Sequence, residues 1–229
     1  MRRNLQKEVR EGIKLYFQNA VPGRILDIPS GSCWLNGELD DPAWDYHAAD
    51  LYSEGKEVQL KKADLNIPLP YEDGSFDYVA CLEGLEHAEN YHHVLREFAR
   101  ILKPGGKLLI STPNPLNVKS RIRYLLWGTF HGFPHLINMP AEGEHLHMSP
   151  INLGFLISFA ERYGLQLDQV HSLAIPFSMY SFVVNAAVIR AFTILKLLFK
   201  DRKTKLFVLR LHDWNVLLNN GLLVSFKKS

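Results

Sequence analysis

Apolar residues recur along this chain with two spacings, and the switches between them mark out its elements. Residues 4–19 set Leu5, Val9, Ile13, Leu15 and Tyr16 among charged neighbours, the pattern of an amphipathic helix that Pro22-Gly23 brings to an end. A short apolar run at 24–28 is cut by Pro29-Ser30-Gly31-Ser32, so it reads as a buried strand entering a tight loop. Further strands fit residues 46–50 and, after the turn Glu72-Asp73-Gly74-Ser75, residues 76–82. Residues 90–102 put Val94, Leu95, Phe98, Ile101 and Leu102 on one helical face; Lys103-Pro104-Gly105-Gly106 stops that helix, and a strand follows at 107–112. Ser149-Pro150 announces another helix, with a cap residue and proline at the first helical position. Its apolar face is expected from Ile151, Phe155, Leu156 and Phe159, its end at Gly164, and strands at 165–170 and 221–227 complete the reading. Short buried strands alternating with helices predict an α/β fold, a parallel sheet covered on both faces.

The length of 229 residues fits one such domain with some surplus. A hydrophobic content of 47% with 22% charged residues excludes a disordered or fibrous chain. The formal net charge of +2 conceals an uneven distribution. Residues 15–103 hold seven basic and sixteen acidic side chains, whereas 104–229 hold fourteen basic and six acidic. An acidic half of that size argues against a protein that coats nucleic acid. Cys33 and Cys81 form neither a disulfide framework nor a zinc-binding spacing, which points to a reducing compartment. The early basic residues lead into Glu8 and Glu11 rather than an apolar signal core, so a cytoplasmic location is expected.

In an open α/β sheet, ligands bind beyond the carboxyl ends of the strands at the switch point. The first strand leads there through Asp27-Ile28-Pro29-Ser30-Gly31-Ser32-Cys33, and Asp50 closes the next strand. Gly31 permits close approach of a ligand to the backbone, and Asp50 can accept hydrogen bonds from two ribose hydroxyls. A dinucleotide site would want three glycines and no acid where its phosphates sit; only Gly31 is present, and Asp27 would repel phosphate. A cationic, phosphate-free nucleoside suits the loop better than NAD. Taken singly, Asp27 reads equally well as a loop acid and Asp50 as a strand-end acid.

In sequence order the chain carries Ile25-Leu-Asp-Ile-Pro-Ser-Gly31, Ala49-Asp50-Leu, Ala63-Asp64-Leu-Asn, Pro70-Tyr-Glu-Asp-Gly-Ser-Phe-Asp77, Glu86-His87 and Leu102-Lys-Pro-Gly-Gly-Lys-Leu-Leu-Ile110. With these segments it resembles the class I S-adenosylmethionine-dependent methyltransferases, of the branch that methylates quinones and small or glycan-linked acceptors. The likeness covers about residues 20–170 and a last strand near 221–228. It implies a Rossmann-like, seven-stranded, mostly parallel sheet. It also implies that Asp27 and the Pro29–Gly31 loop line the methionine part of S-adenosylmethionine, that Asp50, with Leu51 beside it, takes the ribose, and that Asp64 and Leu65 take the adenine. Leu82 and Glu83 would face the sulfonium. Where relatives carry glycine this chain has Pro29 and Cys33, so its loop must be built differently.

Methyl transfer from a sulfonium is an in-line displacement, in which alignment and exclusion of water do most of the catalysis. A base helps where the acceptor is a hydroxyl. Glu83, Glu86 and His87 stand at i, i+3 and i+4, a spacing that would gather them on one helical face. The segment 81–87 is similar to one that binds a divalent metal in ubiquinone-pathway O-methyltransferases; the same Glu-His pair also opens helices in relatives without metal, the reading preferred here. A second cluster, Glu142-Gly-Glu144-His145-Leu-His147, ends the irregular stretch 113–148. Loops of that length are usually functional. The stretch is read as an acceptor lid in which His145 or His147, with His87 beneath, serves as base or acceptor-orienting group. Arg121 and Arg123 in the lid would suit an anionic acceptor or simply face solvent.

Residues 173–189 carry no charge, and 196–210 carry six basic groups and one acid. Asn185, Thr193, Lys196, Lys200 and Lys203 fall at helical spacing as one polar stripe. An apolar helix with a basic rim suits the surface of an anionic membrane; a helix buried against the sheet and a dimer contact are the alternatives. The expectation is one domain with an N-terminal helix (1–20), a cofactor half (21–112), a lid (113–148) and an insertion (173–210). Its function would be methyl transfer, at oxygen, to a small-molecule or lipid-linked acceptor, peripheral on the inner face of a membrane. The rival is a non-catalytic methyltransferase-like domain that docks to a membrane or a partner enzyme.

Overall fold

The computed structural model describes residues 6–39, 41–52, 60–133 and 146–229. Among them are seven strands: β1 (Arg24–Asp27), β2 (Asp45–Asp50), β3 (Leu60–Lys62), β4 (Phe76–Leu82), β5 (Leu102–Pro113), β6 (Leu165–Val170) and β7 (Gly221–Lys228). The helices are α1 (Lys7–Gln18), α2 (Tyr91–Ile101), α3 (Val118–Trp127), α4 (Leu153–Arg162), α5 (Val183–Leu197), α6 (Arg202–Leu211) and α7 (Trp214–Leu218). The strands form one sheet in the order β3-β2-β1-β4-β5-β7-β6. β7 runs antiparallel to both its neighbours, and the remaining pairings are parallel. This is the Rossmann-like, mostly parallel sheet that the sequence resemblance implied.

Period-two alternation decides which core each strand residue joins. Ile25, Ala80, Leu82, Leu109 and Leu223 face the side covered by α1, where Val9, Ile13 and Phe17 meet them. The residues between them, Leu26, Val79, Cys81, Leu108 and Val224, join the opposite core with Phe98 of α2 and Leu156 of α4. A register slip of one residue would exchange these two sets and empty both cores. Helix α2 begins where Asn90 accepts hydrogen bonds from the His92 and His93 N–H groups at 3.1 and 3.3 Å. Such side-chain capping satisfies donors that the first turn leaves without a helical partner.

Four expectations need correction. Strand β3 was not foreseen, because two exposed lysines leave its three residues without an apolar run. Residues 113–148 are not irregular throughout: they contain α3, capped by Asn117, whose side chain accepts from the Ser120 N–H at 2.7 Å. Ser149-Pro150 does not start α4. The Ser149 hydroxyl donates to the Ala88 carbonyl at 2.9 Å, and the cap is Asn152, which accepts from the Gly154 and Phe155 N–H groups. The buried face of α4 is therefore Leu153, Leu156, Ile157 and Ala160, with Phe155 exposed. Finally, the polar stripe of the insertion does not run along one helix: α5 ends at Leu197 and α6 starts at Arg202, and Thr193 is buried.

Because β5 and β6 both run antiparallel to β7, their carboxyl ends lie on the same edge of the sheet as those of β1 and β4. Helix α3 leaves that edge after β5, and the 3₁₀ turn Phe177–Phe182 with α5 leaves it after β6.

Candidate active site

The loop that leaves β1 is tied into the sheet on both sides. The Ile28 N–H donates to the Ala80 carbonyl of β4 and the Ser30 N–H to the Ala49 carbonyl of β2, each at 2.9 Å. Asp50, at the end of β2, accepts the Gly31 N–H on Oδ2 at 2.9 Å and the Tyr52 N–H on Oδ1 at 3.1 Å. Its carboxylate, almost wholly buried, joins the two strand-end loops while keeping further lone pairs for a ligand. The Ile28–Pro29 peptide is cis, and Gly31 and Cys33 have φ of 55° and 53°. Cys33 thus keeps the left-handed backbone for which glycine is the usual residue.

Asp27 is 2% exposed and accepts a hydrogen bond from the Tyr46 hydroxyl at 2.7 Å. Burial and the Asp27 carboxylate push the Tyr46 phenol far above its ordinary pKa, so it stays a donor. Sequence reasoning passed over Tyr46 because an aromatic residue inside a strand reads as core. Asp64 accepts both the Asn66 N–H and its side-chain amide on Oδ1, at 2.8 and 3.1 Å. Asn66 Oδ1 then accepts the Glu89 N–H at 2.9 Å, linking the loop after β3 to the one after β4.

These pieces border an open cleft with about 420 Å³ of space between atoms, part of it open to solvent. It brings together Pro29, Asp50, Leu51, Asp64, Leu65 and His87, as the sequence expected, and adds Tyr52, Asn66 and Gly84. A Cβ on Gly84 would collide with the ring of Pro29, so the glycine is what lets the two loops close over the cleft floor. Asp27 and Gly31, expected there, are not among the residues that line it. Leu82 packs instead in the core beneath α1. Glu83 has a left-handed φ of 50° and is turned toward β5, where Ser111 Oγ donates to its carboxylate at 3.2 Å.

That backbone overturns the expected helical face of Glu83, Glu86 and His87: Leu85–His87 is a single 3₁₀ turn, and Glu83 precedes it. Glu86 and His87 are joined by His147, with ligand-capable atoms of the three within 4.8 Å of one another. The His87 ring N–H donates through Nδ1 to the Leu146 carbonyl and that of His147 to the Gly132 carbonyl, both at 2.8 Å. A carbonyl can only accept, so Nδ1 of each ring carries its hydrogen; in the neutral tautomer the lone pair then sits on Nε2. The two rings meet edge to face at 4.8 Å. Below them the Glu86 carbonyl accepts the Met148 and Ser149 N–H groups at 3.0 Å, fastening residues 148–149 to the 3₁₀ turn. His145 lies outside the described residues. Two imidazoles and a carboxylate are a donor set that fits a divalent transition metal, and the same Nε2 atoms fit proton acceptors.

The other lid candidates serve the protein itself. Arg121 donates through Nε to the Leu116 carbonyl at 2.7 Å, and burial lowers its pKa. Arg123 reaches Thr129 at 3.2 Å. Burial, then Lys119 and Arg123, lower the pKa of His131, whose Nε2 lies 2.8 Å from Lys119 Nζ.

A family model described as a methyltransferase domain matches residues 1–170. The chain belongs to the methyltransferase-domain family of class I S-adenosylmethionine-dependent enzymes. It is 38% identical over 129 residues to a demethylmenaquinone methyltransferase of Bacillus cereus, a match spanning 45% of this chain and 54% of that one. A demethylmenaquinone methyltransferase of Bacillus anthracis is 38% identical over 87 residues, covering 34% and 37%. The chain thus spans about half or less of the length of these curated relatives. Among solved structures, an S-adenosylmethionine-dependent methyltransferase from Mesorhizobium loti superposes with a TM-score of 0.56 at 17% identity, covering 98% of this chain and 100% of that one. A 1,6-didemethyltoxoflavin-N1-methyltransferase from Burkholderia thailandensis, solved with S-adenosylhomocysteine, gives 0.56 at 12% identity, covering 97% and 80%. At these identities both support the fold alone.

Proposed function

We propose that this methyltransferase binds S-adenosylmethionine in the cleft between β1, β2 and β4 and transfers its methyl group to an oxygen of a small, lipid-linked acceptor. One observation carries the reading: Asp50, Asp64 and Leu65 line one cleft together with His87, whose ring meets that of His147. Asp50 would accept the ribose hydroxyls, Asp64 and Leu65 would hold the adenine, and Asp27 would place a buried negative charge near the cationic methionine end. The acceptor enters from the lid side. There the His147 or His87 Nε2 takes its proton as the oxygen attacks the methyl carbon in line, and the thioether leaves neutral. A divalent cation held by Glu86, His87 and His147 would occupy those same Nε2 atoms, and would then replace the base by lowering the pKa of the acceptor oxygen it orients.

A lipid-linked acceptor is favoured because the apolar insertion 173–210 leaves the same sheet edge as the cleft, where peripheral contact with a membrane would present such a molecule. The non-catalytic alternative shares that contact and lacks transfer. Radiolabelled S-adenosylmethionine incubated with quinols, sugars and lipid-linked glycans separates the two. Label in an organic-phase product supports the proposal. Binding of the donor with transfer to none of the three classes would sink it.

A further inference from the structure

We infer that the carboxyl edge of the sheet carries a composite docking face for an anionic lipid bilayer, built from the end of α3 together with the 177–199 segment. It deepens the lipid-linked reading above, and rests on that reading only for what the enzyme would meet there.

Burial along α5 is inverted relative to a surface helix in water. Ala186, Thr193 and Leu197 point inward, while Val184, Val188, Phe192, Ile194 and Leu195 are exposed. The buried threonine satisfies its hydroxyl internally, donating to the Ile189 carbonyl at 2.8 Å. Phe177 and Phe199, at the two ends of the segment, are 92% and 97% exposed. Helix α3 repeats the pattern: Tyr124, Leu125, Leu126 and Trp127 are all exposed, Leu125 by 83%. Val118 and Ile122 of α3 share one small core with Val183, Ala186 and Ile189 of α5, so the two apolar stripes belong to neighbouring helices. Monomeric proteins rarely leave so large an apolar surface to water.

Charge selects the occupant. Arg123, Lys196, Lys200, Arg202, Lys203 and Arg210 are exposed on or beside these helices. The sole acid of residues 118–127 and 177–211 is Asp201, engaged as the cap of α6 with Thr204. A second copy seated face to face would press these cations together; an anionic headgroup layer neutralises them. Tyr124, Trp127 and Tyr180 are residue types that settle at the headgroup level.

Topology decides how the segment lies. Residues 177–197 are long and apolar enough to cross a membrane. Yet the strands before and after pair within one sheet, Val170 opposite Val224, so both ends must return to the same side. Helix α6, with three basic residues in its first four, offers no second crossing. The segment therefore lies in the interface, apolar side down. The cleft and the face share one edge of the sheet, so an acceptor anchored in the bilayer reaches the lid without leaving it.

The test is co-sedimentation of the full-length protein with vesicles of phosphatidylcholine alone or with about one third phosphatidylglycerol. Binding to the anionic vesicles only, weakened by salt, is expected. Lys200→Gln with Lys203→Gln should weaken it about thirtyfold, at roughly one charge contact each. Phe177→Glu with Phe199→Glu, both in water and so harmless to folding, should abolish it. Brominated lipid should quench tryptophan fluorescence in the wild type and lose most of that effect in Trp127→Phe. Equal recovery with all three proteins, no vesicle binding by the wild type, or a dimer that the two Phe→Glu changes dissolve would overturn the proposal. None of these readouts depends on methyl transfer, so failure here is distinct from failure of the catalytic reading.

Discussion

Asp50→Asn isolates the part of the cleft on which the proposed donor binding turns. The substitution preserves size but replaces one carboxylate oxygen by an NH₂ group. In the structure the Gly31 and Tyr52 N–H groups approach different oxygens, at 2.9 and 3.1 Å. Whichever way the amide is flipped, one backbone donor must face another donor. A buried polar group left without its partner costs about 1–3 kcal/mol. For a chain of this length, that lowers Tm by about 2–4 °C for each kcal/mol. The proposed ribose contact adds a separate loss in binding, because two ribose hydroxyls would no longer find two charged acceptors. At about 1.5–3 kcal/mol for a hydrogen bond to a charged group, affinity for S-adenosylhomocysteine should fall roughly ten- to a hundredfold. Calorimetric titration measures the second effect and thermal unfolding without ligand the first. A variant that melts several degrees lower yet binds with wild-type affinity would refute the ribose assignment while leaving the loop-joining role intact.

Other consequences follow from neighbouring contacts. Gly84→Ala drives a methyl into Pro29; overpacking should cost about 1–3 kcal/mol in chemical denaturation and weaken donor binding, and unchanged values for both would contradict the close approach. Tyr46→Phe removes a donor to Asp27. It should weaken S-adenosylmethionine binding several-fold while leaving S-adenosylhomocysteine less affected, since only the former is a sulfonium; equal losses would argue that Asp27 does not sense the charge. Burial lowers the pKa values of His131, His171 and His212 below the ordinary value. In the window below about 6.5 the unfolded chain then binds more protons than the folded one, so stability is full above that pH and falls as pH drops toward the folded-state values. Urea midpoints from pH 7.5 down to about 5 should fall accordingly, and His171→Gln should flatten the slope.

Elements that bury a regular face were the most legible from the sequence, and α3, which exposes its last turn, was missed. Helix α2 and strands β4 and β5 follow their apolar periods closely because both faces of the sheet are covered. Helix α3 was invisible because its last turn, Tyr124 to Trp127, faces outward and breaks the period of a core helix. The start of α4 was misplaced because tertiary contacts to Ala88 and Glu86 captured Ser149 before it could cap. In the site, Asp27, Asp50 and Asp64 stand in strand-end loops whose order along the chain carries the signal. His147 meets His87 from 60 residues later in the chain, a juxtaposition that no local pattern reports. Glu83 was drawn into the wrong group by assuming helical spacing across a residue whose φ is +50°.

The proposed methyl transfer requires the cleft between β1, β2 and β4 to be the donor site. Calorimetric titration of the intact protein with S-adenosylhomocysteine tests this directly. Saturable one-to-one binding, displaced by S-adenosylmethionine and weakened by Asp50→Asn, is the predicted result. A folded protein that gives no binding heat up to about 1 mM ligand, the upper end of ordinary substrate affinities, would contradict it.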